Sequence, residues 1–142
     1  GAFGVVIGAL KEADRVRLAH GRVRLLGQVP YARVAPLVAT FDIALAFDNP
    51  ARIGRVGNSN QKVRQALATG AYVVTQDSDL PLDGNPELGV NVPDRDLRTL
   101  LEACRNAPLT PQARKARVEF ARAHLDTASI YRRRHEAVSG GL

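Results

Sequence analysis

The chain has 142 residues, with 20 Lys and Arg against 14 Asp and Glu for a net charge of +6; 45% of the residues are hydrophobic, 24% charged and 5% aromatic. That balance fits one globular domain with a real core, and no segment approaches the ~20 apolar residues that span a bilayer. The single cysteine, Cys104, excludes an internal disulfide framework and fits a reducing compartment.

The first ten residues are apolar but lack a basic leader, so no secretory signal is expected there. Phe3 to Gly8 reads as a buried strand ending in glycine. Leu10 to Ala19 predicts a short helix stopped by Gly21, with His20 at its end. Val23 to Gly27 is a second strand. Pro30 to Thr40 predicts a helix with Tyr31, Val34, Leu37 and Val38 on one stripe. Pro36 falls inside that span, and a start near Ala35 would place it in the first turn.

Ile43 to Phe47 is a third strand, followed by a loop from Asp48 to Gly57 rich in Asn, Pro and Gly. A helix from about Asn60 to Thr69 leads through Gly70 into a strand from Ala71 to Thr75. After an irregular stretch from Gln76 to Pro86 comes a short strand, Leu88 to Val92. Asp94 to Ala107 predicts an amphipathic helix with Leu97, Leu100, Leu101 and Cys104 toward the core. Helices over Pro111 to His124, capped by Thr110, and over Thr127 to Val138 complete the chain, with a frayed tail at residues 139–142.

Strands alternate with helices and are uniformly apolar, as when both faces of a sheet are covered. The pattern predicts a Rossmann-like α/β domain over residues 1–138, with a mostly parallel sheet and helices on both faces. Ligands of such sheets bind outside the carboxyl ends of the strands, which points to the loops at 8–9, 27–30, 48–60 and 76–84.

The most informative of these is the start of the helix near Asn60. Asn58, Ser59 and Asn60 are all good N-caps. Lys62 lies in the first turn, where a cation is mildly unfavourable against the helix dipole. A helix start offers free N–H groups and partial positive charge, so a lysine there suits a bound phosphate or diphosphate. Simple capping beside a solvated lysine is the plainer alternative.

Three segments in order carry a family resemblance: Val23-Arg24-Leu25-Leu26-Gly27-Gln28-Val29-Pro30, Leu37 to Leu45, and Lys62 to Thr75. Together, over about Phe3 to Ala107, they resemble the C-terminal, donor-binding domain of bacterial GT-B glycosyltransferases of the "group 1" type. That resemblance implies nucleotide-sugar binding. Gln28 and Val29 would line the nucleobase; Asn58, Ser59, Asn60 and Lys62 would meet the diphosphate and sugar; Gln65 would take the ribose hydroxyls. The chain departs from the family where Gln65 replaces a glutamate, Gly57 replaces another eight residues earlier, and Tyr72 replaces a proline. Phe3 to Gly8 matches the family's second strand, so its first strand is expected to be missing, as is the acceptor-binding N-terminal domain. The isolated chain is therefore expected not to transfer sugar.

Other constellations are weaker. Asp77-Ser78-Asp79 could hold Mg²⁺ or Mn²⁺ with a diphosphate, but the GT-B type needs no metal there, and neither metal nor cofactor is expected. Asp48 ends a strand as in a response-regulator receiver, yet the acidic residues and lysine that fold needs are lacking. His124 and His135 are expected to be exposed, and Cys104 to be core. Arg114, Lys115, Arg117, Arg122, Arg132, Arg133 and Arg134 form a basic region, read as a solvated helix face or as a dock for an anionic membrane. Nucleic acid is not an expected partner, since no motif supports it and aromatics are few.

The expected function is thus donor binding within a transferase that moves a sugar from a nucleotide-diphosphate sugar to an acceptor hydroxyl. It would work in the cytoplasm, including peripherally at the inner membrane face. The alternatives are a noncatalytic basic α/β module that binds an acidic surface or nucleic acid, and a domain like that of a nucleotide-sugar epimerase of GT-B architecture.

Overall fold

Short apolar runs separated by helices fold as strands that pair in parallel, because each helix carries the chain back to the starting edge. The computed structural model describes residues 3–19, 21–47, 61–75, 82, 84–92 and 96–125. In chain order the elements are β1 (Gly4–Ile7), α1 (Glu12–Leu18), β2 (Val23–Gly27), α2 (Tyr31–Val38), β3 (Ile43–Ala46), α3 (Gln61–Ala68), β4 (Tyr72–Thr75), β5 (Gly89–Asn91), α4 (Leu97–Arg105) and α5 (Pro111–His124). The architecture is Rossmann-like α/β, and its strand pairings are parallel.

Two compact units divide the chain, Gly1–Leu37 and Val38–Leu142. The first holds a two-stranded sheet, β1 beside β2, with Gly4 opposite Val23 and Val6 opposite Leu25. The second holds a three-stranded sheet in the order β3-β4-β5. There Ile43 faces Tyr72, Ala46 faces Thr75, and Thr75 in turn faces Asn91.

That second sheet is covered on both faces. Val63, Ala66 and Leu67 of α3 pack with Ala46, Val73 and Ala121 on one face. On the other, Tyr72, Val74 and Val92 meet Leu100, Ala103 and Cys104 of α4. β4 is central and buried at every position, which is why its sequence is apolar without alternation. Gly89 is required where β5 meets β4, because a Cβ there would lie 2.3 Å from the Val73 carbonyl oxygen.

Helix ends follow local chemistry. α3 closes with Gly70 at φ +84°, Gly70 N–H donating to Leu67 O and Ala71 N–H to Ala66 O, a Schellman motif. Thr110 caps α5 through a bond from Ala113 N–H to its Oγ1, with Pro111 in the first turn. α4 begins at Leu97 rather than Asp94, because the Asp96 carboxylate accepts from the N–H groups of Arg98 and Thr99.

Two further expectations are corrected. α2 begins at Tyr31, so Pro36 lies inside it rather than in a first turn. The missing N–H costs the bond to Ala32 O, but Ala32 is exposed, so its carbonyl can turn to water. Leu101 is 54% exposed rather than core. The stripe of Leu100, Ala103, Cys104 and Ala107 faces the sheet, and Leu101 sits one residue round from it.

Candidate functional site

α3 connects two parallel strands, so it runs back along the sheet and its first turn lies at the carboxyl edge of β3 and β4. Lys62 is exposed on that first turn, and Gln65 follows one turn later, half-buried. Residues three apart share a helix side, so both project beside the face that Val63, Ala66 and Leu67 bury. A helix start carries partial positive charge, which makes this edge attractive to an anion. Asn58, Ser59 and Asn60 lie outside the described residues, as do Asp48, Gly57, the Asp77-Ser78-Asp79 run, His20, His135 and the basic residues 132–134.

Gln28 and Val29 belong to the first unit, just after β2; Gln28 is exposed and Val29 half-buried. Gly27 takes φ +67° there, and its carbonyl accepts from Gly8 N–H at 2.8 Å, which ties the ends of β1 and β2 together. Lys62 and Gln65 are therefore brought together on one helix, and Gln28 and Val29 on one loop of the other unit.

At the carboxyl end of β5, Asn91 was not a candidate from sequence. Its Oδ1 is buried and has no hydrogen-bond partner among the described residues. An unmet buried acceptor costs about 1–3 kcal/mol. Beside it across the ladder, the Thr75 hydroxyl donates to Ala46 O at 2.7 Å, so the strand ends at this edge are tied by side-chain as well as ladder bonds.

The basic residues of α5 need a correction. Arg117 is 1% exposed, not part of a solvated or membrane-facing surface. Its Nε donates to Gly70 O at 2.8 Å, and its Nη1 to Glu87 O at 2.8 Å and Pro108 O at 3.2 Å. Arg114, one turn earlier, donates to the carbonyls of Ala39, Phe41 and Thr69 and lies 3.8 Å from the Asp42 carboxylate. Thr69 and Gly70 end α3, so both guanidiniums meet the negative end of its dipole. Burial, then the neighbouring Arg114 charge, lowers the pKa of Arg117. The signal was in the sequence: Ala113, Arg117 and Ala121 form one i, i+4, i+8 stripe, and its small residues let α5 approach closely enough to bury an arginine.

Other titratable groups are structural in setting. Burial raises the Tyr72 pKa, opposed by Arg117, whose guanidinium carbon lies 5.9 Å from the ring centre. Tyr72 N–H donates to Asp42 O, a bond that proline could not make. Burial likewise raises the Cys104 thiol. His124 is exposed, as expected, and packs on Phe120 with ring centres 4.7 Å apart. Among the described residues no cluster of His, Cys, Asp and Glu could hold a metal, and no helix is long and apolar enough to cross a membrane.

No protein-family profile matches the chain, and no curated protein matches it at a meaningful level of similarity.

Proposed function

We propose that the chain is the donor-binding domain, or part of it, of a glycosyltransferase of GT-B type, which moves a sugar from a nucleotide-diphosphate sugar to an acceptor hydroxyl. The observation that carries this reading is the start of α3 at the carboxyl edge of a parallel sheet, with Lys62 in its first turn. A leaving nucleoside diphosphate gains negative charge as the glycosidic bond breaks. A lysine and helix-start N–H groups stabilise that charge more in the transition state than in the ground state. Gln65, one turn on, has both a donor and an acceptor to offer ribose hydroxyls, though not the bidentate acceptance of a carboxylate. The order of segments resembling the GT-B donor domain supports the same reading. Membrane docking through α5 is weakened, because Arg114 and Arg117 bond to backbone carbonyls and Lys115 lies 3.7 Å from Glu119.

Titration of the chain with UDP and GDP tests this. Binding should be saturable at ordinary salt, and Lys62→Ala should weaken it roughly 10- to 100-fold, the value of one charge-assisted contact of about 1.5–3 kcal/mol. Binding that ignores Lys62, or that falls steeply with salt without preferring nucleoside diphosphates, would instead mark a basic module for acidic surfaces.

A further inference from the structure

The β3-β4-β5 sheet has two edges, and they are finished differently. β5 is three residues long, which offers little edge to pair. β3 reads Ile43-Ala44-Leu45-Ala46, with none of the lysine, proline or bulge that blunts an edge strand. Leu45 is 56% exposed there, whereas Ile43, on the same side of the strand, packs against Tyr72, Val74 and Val92.

The ladder fixes which backbone groups this edge offers. Tyr72 N–H donates to Asp42 O at 2.9 Å, so Asp42, Ala44 and Ala46 turn their backbone groups toward β4. Ile43 and Leu45 alternate with them. Their N–H and C=O groups point away from the sheet, with no bond to a described residue.

We propose that this edge pairs with the same edge of a second copy of the chain, antiparallel about a twofold axis through Ala44. In that register Ile43 faces the second copy's Leu45, and the two exchange both N–H···O bonds. The axis repeats the exchange, so every outward group of Ile43 and Leu45 is met in both copies. The exposed Leu45 side chain then lies beside the second copy's Ile43, an apolar cross-strand pair. Asp42, the charge next to the strand, falls opposite the second copy's Ala46, so no like charges oppose each other. An axis through Ile43 would need Phe41, whose N–H and carbonyl already bond Val38 and Arg114. An axis through Leu45 would need Phe47, which lies past the end of β3.

Sedimentation equilibrium of the full chain, from low micromolar to near-millimolar concentration, reads the association. The apparent mass should climb from 15.3 kDa toward twice that value. Leu45→Lys should weaken association about tenfold, because the axis doubles the loss of a cross-strand pair. Leu45 is exposed, so this variant does not threaten folding. Oxidation of two variants in a Cys104→Ala background reads the register. Ala44→Cys puts both thiols on the axis, with Cα atoms about 4.5 Å apart and within disulfide reach, and should cross-link. Leu45→Cys separates them by more than the ~7 Å limit and should not. A chain that stays monomeric throughout, association indifferent to Leu45→Lys, or cross-linking as fast through Leu45→Cys as through Ala44→Cys would overturn the proposal. No arm depends on UDP or GDP, so the outcome is separate from that of the donor-binding test.

Discussion

Arg117 is expected to behave as a core residue. Its guanidinium joins the end of α3 at Gly70, the segment before β5 at Glu87 and the α4–α5 turn at Pro108. Arg117→Ala removes three charge-assisted bonds and leaves three carbonyls without their donor. At about 1–3 kcal/mol per unmet buried group the upper bound is ~9 kcal/mol. Two effects reduce it. Removing the charge returns its desolvation penalty, and water can enter the vacated space to reach Glu87 O, since Glu87 is exposed. A net loss of about 3–5 kcal/mol remains, comparable to breaking a buried ion pair. That is a large share of the ~5–15 kcal/mol that holds a domain of this kind folded. Arg117→Lys keeps a charge but not the planar fork, so it should fall between the two. Urea unfolding of the full chain measures all three, with Lys115→Ala as the control. Lys115 is two residues away, its side chain 77% exposed, and its loss should cost less than about 0.5 kcal/mol. If Arg117→Ala cost no more than Lys115→Ala, the buried arginine would be disproved and α5 would revert to a solvated basic face.

Two further predictions concern helix ends. Gly70→Ala should destabilise by about 2–4 kcal/mol in urea unfolding, from the left-handed backbone and from a Cβ 2.6 Å from Arg114 Cγ. Gly27→Ala, at φ +67° but with nothing within 4 Å, should cost only about 1–2 kcal/mol; equal losses would contradict the close approach of α5 to Gly70. The Asp96 carboxyl is held below its ordinary pKa, first by the Thr99 hydroxyl and then by the Thr99 and Arg98 N–H groups. A depressed folded pKa contributes stability above the unfolded pKa that is lost as pH falls through the folded one. Asp96→Asn should therefore flatten the acid limb of the stability–pH curve, and an unchanged limb would show that the cap carries no charge dependence.

Composition and local pattern determined the parallel α/β class, the order of the described elements, the C-terminal end of α3 and the start of α5. Each of these follows from short-range physics: apolar runs too short for helices, Gly70 able to take a positive φ, and Thr110-Pro111 suited to a first turn. Periodicity alone misplaced Leu101, because the stripe that faces the sheet is decided by where α4 docks and not by which leucines α4 contains. Pro36 was uncertain for a related reason: whether a short helix tolerates the lost bond depends on solvent reaching Ala32 O. Only tertiary structure turned Arg114 and Arg117 from surface charge into ties between distant carbonyls, and only it exposed an Asn91 Oδ1 unmet among the described residues. A charged side chain reads as solvated unless its carbonyl partners are known, and here those partners lie 9 to 75 residues away along the chain.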